Sequence, residues 1–264
     1  MTTASTNTTA TSATRHALVT GGGSGIGAAI AEALVKAGMR VTITGRRVEL
    51  LQTLAARHPE HMQAVGMDVA DAESVAQAFA QAKVAFGPVD ILVNNAGQAS
   101  SAPFLKTDAA LWQQMLEVNL TGTFHCTQAA LPDMQAARWG RIVNVASTAG
   151  LVGYAYVAAY VAAKHGVVGL TRALALEVAK KGITVNAVCP GYTETDILRE
   201  SIANVVAKTG RTEEQARAEF ASGNPQGRIV QPEEVAGTVL WLTSNSAASV
   251  TGQSIAVCGG EVMQ

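Results

Sequence analysis

Short apolar runs alternate with longer amphipathic stretches along almost the whole chain. Residues 16–20 (HALVT), 40–44 (RVTIT), 63–67, 89–93, 141–146 (RIVNVA) and 183–189 (ITVNAVC) are too short for helices and rich in β-branched side chains, so they predict buried strands. Between them lie stretches with helical spacing: a run after Gly27, residues 46–57, residues 71–86 closed by Gly87-Pro88, residues 107–137, and a segment reaching Val178. A further helix at 232–242 and a strand at 254–257 close the pattern. Strand and helix in strict alternation predict an α/β fold, a single doubly wound domain with a seven-stranded, mostly parallel sheet flanked by helices.

Two stretches depart from this rhythm. Residues 192–228 are polar, with apolar points only at Ile197, Leu198, Ile202, Val205 and Val206, and predict one or two short helices forming a substrate lid. The segment up to Val178 is apolar nearly all round, which predicts a helix buried on every side, one side against a second subunit. Residues 1–14 contain no apolar run and no basic residue, so they predict a flexible arm that is neither a signal peptide nor a membrane anchor.

Composition narrows the functional classes. With 48 % hydrophobic and 15 % charged residues, the 264-residue chain can bury a full core. A formal charge of −1 and the absence of Lys/Arg runs argue against nucleic acid as a partner. Cys126, Cys189 and Cys258 are widely spaced in apolar segments, fit no metal-ligand pattern, and point to a reducing cytoplasm.

The chemistry concentrates at strand ends. After the first strand comes GGGSGIG, residues 21–27, then a helix, the arrangement that lets backbone N–H groups and a helix N-terminus meet a pyrophosphate. The second strand ends in Gly45-Arg46-Arg47: no carboxylate stands where NAD's ribose would need one, and arginine suits the 2′-phosphate of NADP, although the pair can equally be a solvated helix start. Asp68-Val69 follows the third strand, where a carboxylate can meet an adenine amino group, and Asn95-Ala96-Gly97 follows the fourth, where small residues admit a ribose close to the backbone. Asn119 interrupts a helix, which is unfavourable unless its amide has a specific partner. Ser147 ends the fifth strand, and Tyr160 and Lys164 share one helical face. An ammonium beside a phenol favours the phenolate, so the pair predicts a tyrosine tuned for proton transfer. His125 and His165 lie near this stretch but predict structural roles.

Together, TGGGSGIG, NNAG, Asn119, Ser147, Tyr160-x-x-x-Lys164 and Pro190-Gly191 resemble the short-chain dehydrogenase/reductase family, the single-domain Rossmann kind, over residues 15 to about 262. Within it the chain looks most like 3-oxoacyl-(acyl-carrier-protein) reductases and aromatic polyketide ketoreductases. The resemblance implies Tyr160 as general acid or base, Lys164 as its partner and ribose ligand, Ser147 as the group that orients the substrate oxygen, and Asn119 as holder of a relay water. It also implies Gly21, Gly23, Ser24 and Ile26 at the pyrophosphate, and Pro190, Gly191, Thr193 and Thr195 at the nicotinamide. The implied activity is hydride transfer between NADP(H), with NAD(H) as the alternative, and a carbonyl or secondary alcohol, foremost a CoA- or carrier-bound 3-oxoacyl thioester. An NAD-dependent catabolic dehydrogenase and a non-catalytic NADP(H) sensor are the other readings. Relatives are mostly homotetramers.

Overall fold

The structure, a computed structural model, describes residues 14–263. The flexible-arm expectation therefore lies outside the described residues, apart from Thr14. Seven strands, β1 (His16–Thr20), β2 (Arg40–Gly45), β3 (Met62–Gly66), β4 (Ile91–Asn94), β5 (Gly140–Val145), β6 (Ile183–Pro190) and β7 (Ser254–Val257), form one sheet in the order β3-β2-β1-β4-β5-β6-β7. Every pairing is parallel, so the expected "mostly parallel" sheet is parallel throughout. Strand edges differ from the sequence reading by one or two residues, as at β4, because apolar content continues past the hydrogen-bonded ladder.

The helices are α1 (Gly25–Lys36), α2 (Val48–Ala55), α3 (Ala72–Phe86), α4 (Ala109–Leu116), α5 (Gly122–Ala137), α6 (Ala158–Val178), α7 (Asp196–Thr209), α8 (Glu213–Ser222) and α9 (Pro232–Thr243). Side chains alternate across the strands. Ala17 and Val19 of β1 join Ile30 and Leu34 of α1 and Val235 and Val239 of α9 on one face. Leu18 joins Phe79, Met134 and Leu174 of α3, α5 and α6 on the other. Each buried Leu or Phe contributes roughly 1.5–3 kcal/mol, which makes this two-layered core the main source of stability.

Chain order reverses between β1 and β4, because β2 and β3 build outward from β1 on one side and β5 to β7 from β4 on the other. Such a switch leaves a crevice beyond the strands' carboxyl ends. The floor of that crevice is fixed by buried polar side chains. Asn94 donates to Thr127 Oγ1 (3.0 Å) and Asn144 Oδ1 (2.9 Å), and Asn144 donates to Thr171 Oγ1 at 2.8 Å, tying β4 and β5 to α5 and α6.

One expectation changes. Helix α6 is not buried all round: His165, Gly169, Arg172, Leu176 and Glu177 form an exposed stripe, with Leu176 84 % exposed. The helical stretch at 107–137 is preceded by a short turn at Phe104–Lys106 and, as the interruption at Asn119 predicts, is two helices joined by a widened turn, Glu117–Thr121, in which the Gly122 N–H reaches back five residues to the Glu117 carbonyl. Residues 192–228 fold as the hairpin α7–α8, whose own small core is Leu198, Ile202, Ala216 and Ile229. No helix among the described residues is long and apolar enough to cross a membrane.

Candidate active site

The crevice holds a cavity of about 770 Å³. Its phosphate end is built by the glycine turn. Gly21 (φ +63°) and Gly25 (φ +52°) adopt left-handed conformations that side chains resist, and a Cβ on Gly27 would stand 2.2 Å from the Gly21 carbonyl oxygen. The turn is locked to the end of β4: the N–H groups of Asn95 and Ala96 donate to Thr20 Oγ1 (3.0 and 2.9 Å), and Asn95 Nδ2 donates to the carbonyls of Thr20 (2.9 Å) and Gly21 (3.2 Å). The first turn of a helix leaves its N–H groups without intrahelical acceptors, and Gly25, Ile26 and Gly27 line the cavity there. An anion fits this end.

At the second-strand tip the two arginines part company. Both are exposed; Arg47 lines the cavity and its Nη2 donates to Ser24 Oγ at 2.8 Å, whereas Arg46 lies outside the cavity wall. Gly23, Asp68 and Val69 also lie off this cavity. Gly23 backs onto Leu50 and Leu51. The Asp68 carboxylate accepts from the Ala70 N–H (3.0 Å), and Val69 is buried beneath Gly122, its carbonyl hydrogen-bonded to His125. His165 bonds the Val161 carbonyl of its own helix, so both histidines are structural and neither lines the cavity.

Ser147, Tyr160 and Lys164 converge on the opposite wall. Ser147 leaves β5 with an extended backbone and its Oγ accepts the Ala149 N–H at 3.1 Å. Lys164, only 4 % exposed, donates to the Val145 carbonyl at 2.9 Å, and its Nζ lies 5.6 Å from the Tyr160 ring centre. Burial draws Lys164 down to about 8. Burial also raises the Tyr160 phenol, and its hydrogen bond with Ser147 only partly opposes this. The expected lowering of the tyrosine is not met in this geometry: burial of the ring raises it, and the ammonium is held by the Val145 carbonyl. At neutral pH the phenol carries its proton.

Asn119 occupies the widened turn, with Nδ2 donating to the carbonyls of Met115 (2.9 Å) and Gln98 (3.0 Å) and Oδ1 accepting from the Gln98 N–H (3.2 Å). Its side-chain amide is engaged with backbone groups on both sides of the turn. A Cβ on Gly97 would meet Asn119 Oδ1 at 2.8 Å and Lys164 Nζ at 3.6 Å, so the turn must be glycine. Pro190, Gly191, Thr193 and Thr195 complete the wall at the end of β6. Thr193 Oγ1 donates to the Gly191 carbonyl (2.9 Å), and Thr195 caps α7.

A family model of short chain dehydrogenases matches residues 15–205. The chain belongs to the short chain dehydrogenase family. It is 40 % identical to the 3-oxoacyl-(acyl-carrier-protein) reductase FabG of Aquifex aeolicus, covering 92 % of this chain and 95 % of the relative. It is 37 % identical to D-beta-hydroxybutyrate dehydrogenase of Rhizobium meliloti, over 95 % of this chain and all of the relative. Among solved structures, a variant of actinorhodin polyketide ketoreductase with NADPH superposes with a TM-score of 0.91 at 41 % identity, covering 94 % of this chain and 97 % of that one. The protein is an oxidoreductase of this family, and the resemblance read from the motifs holds.

Sequence reasoning missed part of the wall. Tyr154 and the α7 residues Ser201, Asn204 and Lys208 also line the cavity. Tyr154 sits in the glycine- and aromatic-rich loop before α6, where no periodicity marks a direction. The i, i+3, i+7 spacing of the three α7 residues is a signal that was present and unread.

Proposed function

We propose that the protein reduces the carbonyl of a 3-oxoacyl thioester with NADPH. The observation that carries this reading is the convergence of Ser147, Tyr160 and Lys164 on one wall of a cavity whose other end is the glycine turn with Arg47 across it. The free N–H groups of α1 suit the pyrophosphate, and Arg47, with no carboxylate at the tip of β2, suits a 2′-phosphate. Lys164 holds the nicotinamide ribose, and the β6 end, Pro190 to Thr195, holds the ring. The bound cofactor supplies hydride chemistry. The chain supplies position and a proton.

Tyr160, protonated at neutral pH, donates to the carbonyl oxygen as charge develops there, and Ser147 orients and polarises that oxygen. Asn119 acts as a positioning residue that fixes the Gly97-Gln98 turn against Lys164. Similarity to FabG and to the NADPH-bound ketoreductase supports the direction and the cofactor. The test is a titration of NADPH and NADH followed by turnover of acetoacetyl-CoA. NADPH should bind at least ~10-fold more tightly, and Arg47→Asp should erase that preference while Arg46→Asp leaves most of it. Preference for NADH, with oxidation of simple secondary alcohols and none of acetoacetyl-CoA reduction, would replace this reading with that of a catabolic dehydrogenase.

A further inference from the structure

The segment after β7 returns to the cavity. Cys258 Sγ accepts the Val262 N–H at 3.4 Å, and a Cβ on Gly259 would overlap Asn224 Oδ1 at 1.9 Å, so this turn is pressed against the base of the α7–α8 hairpin. The turn delivers Glu261 to the back of the cavity wall formed by Tyr154 and Gly191. There the Tyr154 hydroxyl donates to Glu261 Oε1 at 2.5 Å, with a second hydrogen bond between Tyr154 and the Thr148 hydroxyl. A phenol has one proton, so with the carboxylate taking it Thr148 is the donor of the second bond. Glu261 Oε2 lies 2.8 Å from where a Cβ on Gly191 would stand, so the carboxylate touches the backbone of a residue that itself lines the cavity. Burial and this carboxylate together push the Tyr154 phenol up, and burial first and Glu261 after it raise Tyr192, another wall residue. Among the described residues no ion pair involves Glu261.

A half-buried negative charge with no cationic partner, one side chain away from the substrate half of the cavity, has an electrostatic consequence for what can enter. We propose that Glu261, held by Tyr154, sets the charge selectivity of the pocket: it disfavours carbonyl compounds bearing a free carboxylate near the reacting carbon and admits their neutral esters and thioesters. The proposal rests on the reading of this cavity as the carbonyl pocket. It separates the thioester reading from that of a free 3-hydroxy acid, two substrate types named among the chain's relatives.

The test compares acetoacetate with methyl acetoacetate, a pair that differs in one charge. Calorimetric binding to the NADP⁺-loaded protein, where no hydride is available, gives the ester-to-acid affinity ratio. The wild type should favour the ester by ~10-fold or more, Glu261→Gln should lower that ratio by roughly tenfold, and Glu261→Asp should keep it. An unchanged ratio in Glu261→Gln overturns the proposal. So does wild-type protein that binds the acid as tightly as the ester, a result that needs no variant to fold. Turnover of methyl acetoacetate with NADPH is followed in parallel: its absence sinks the reductase reading, while the binding ratio still judges Glu261.

Discussion

Lys164 is a buried cation, and its replacement by methionine should change how stability depends on pH. The ammonium is 4 % exposed, and desolvation draws its titration from 10.5 to about 8. Below pH 8 the lysine is charged in both folded and unfolded chains, and the folded state bears the whole cost of burying it. As pH rises from about 8 toward 10.5 the folded state has released the proton while the unfolded state still binds it, so folding becomes more favourable with pH. Each unit of difference is worth about 1.36 kcal/mol, which makes the burden about 3 kcal/mol at pH 7 and leaves under about 1 kcal/mol at pH 10. Methionine has similar length and no charge. It leaves the Val145 carbonyl without its donor at every pH, a constant offset of about 1–3 kcal/mol. The difference in unfolding free energy, wild type minus Lys164→Met, should therefore rise by about 2.5 kcal/mol between pH 7 and pH 10. Urea unfolding of both proteins at unit steps of pH measures it, and groups common to both cancel. A difference that stays flat, or falls with pH, would refute the assignment of a desolvated ammonium to this site.

Three further outcomes follow from the same geometry. Tyr160→Phe removes the phenol hydrogen-bonded to Ser147 and should lower kcat for acetoacetyl-CoA reduction by about 10²–10⁴, with NADPH affinity, read by fluorescence titration, within a few-fold of wild type. Gly27→Ala places a methyl 2.2 Å from the Gly21 carbonyl oxygen, so it should abolish measurable NADPH binding and lower Tm, whereas Gly169→Ala, with open space around it, should do neither. The exposed stripe of α6 with Leu176, together with Trp112 of α4 and Phe124 of α5, should be covered in a homotetramer; light scattering at micromolar concentration tests this, and a monomer would contradict it.

What could be read in the sequence follows from what periodicity and motifs encode. The doubly wound sheet and its crevice were legible because short apolar runs alternate with helical stretches up to Gly191 and small or polar residues stand at the strand ends. Ser147, Tyr160 and Lys164 were legible because strand end and helix face follow from spacing alone. The choice between Arg46 and Arg47 was not: it depends on which way the chain twists as it leaves β2, and neither residue differs in type. The direction of the Tyr160 shift was misread for a related reason. Adjacency in sequence gives the charge beside the phenol but not its desolvation, nor the Val145 carbonyl that captures the ammonium. Glu261 was invisible, because its partner Tyr154 is 107 residues away and nothing local marks a tail residue as returning to the cavity.

These differences sort the cavity into two halves with different physics. The half proposed to carry the proton chemistry is braced by the sheet, where the buried Asn94–Asn144–Thr171 chain ties β4 and β5 to the helices, and a shift of Lys164 would break its buried bond to the Val145 carbonyl. The other half is α7–α8, whose core has four buried side chains and which is joined to the domain by the Thr193–Val230 bridge, the pairing of Glu194 with Arg199 and Arg217, and the turn that carries Glu261. So little buried apolar area implies a low local unfolding free energy. A catalytic constellation needs to be rigid to within a fraction of an ångström, while a substrate wall has to open for a ligand to enter. On the proposed reading the chain meets both demands by setting Ser147 at the end of β5 and Tyr160 and Lys164 on the inner side of α6, with the selectivity residues on a small hairpin and the tail that braces it. Variation in substrate can then proceed through Tyr154, α7 and Glu261 without disturbing the Ser147–Tyr160–Lys164 geometry.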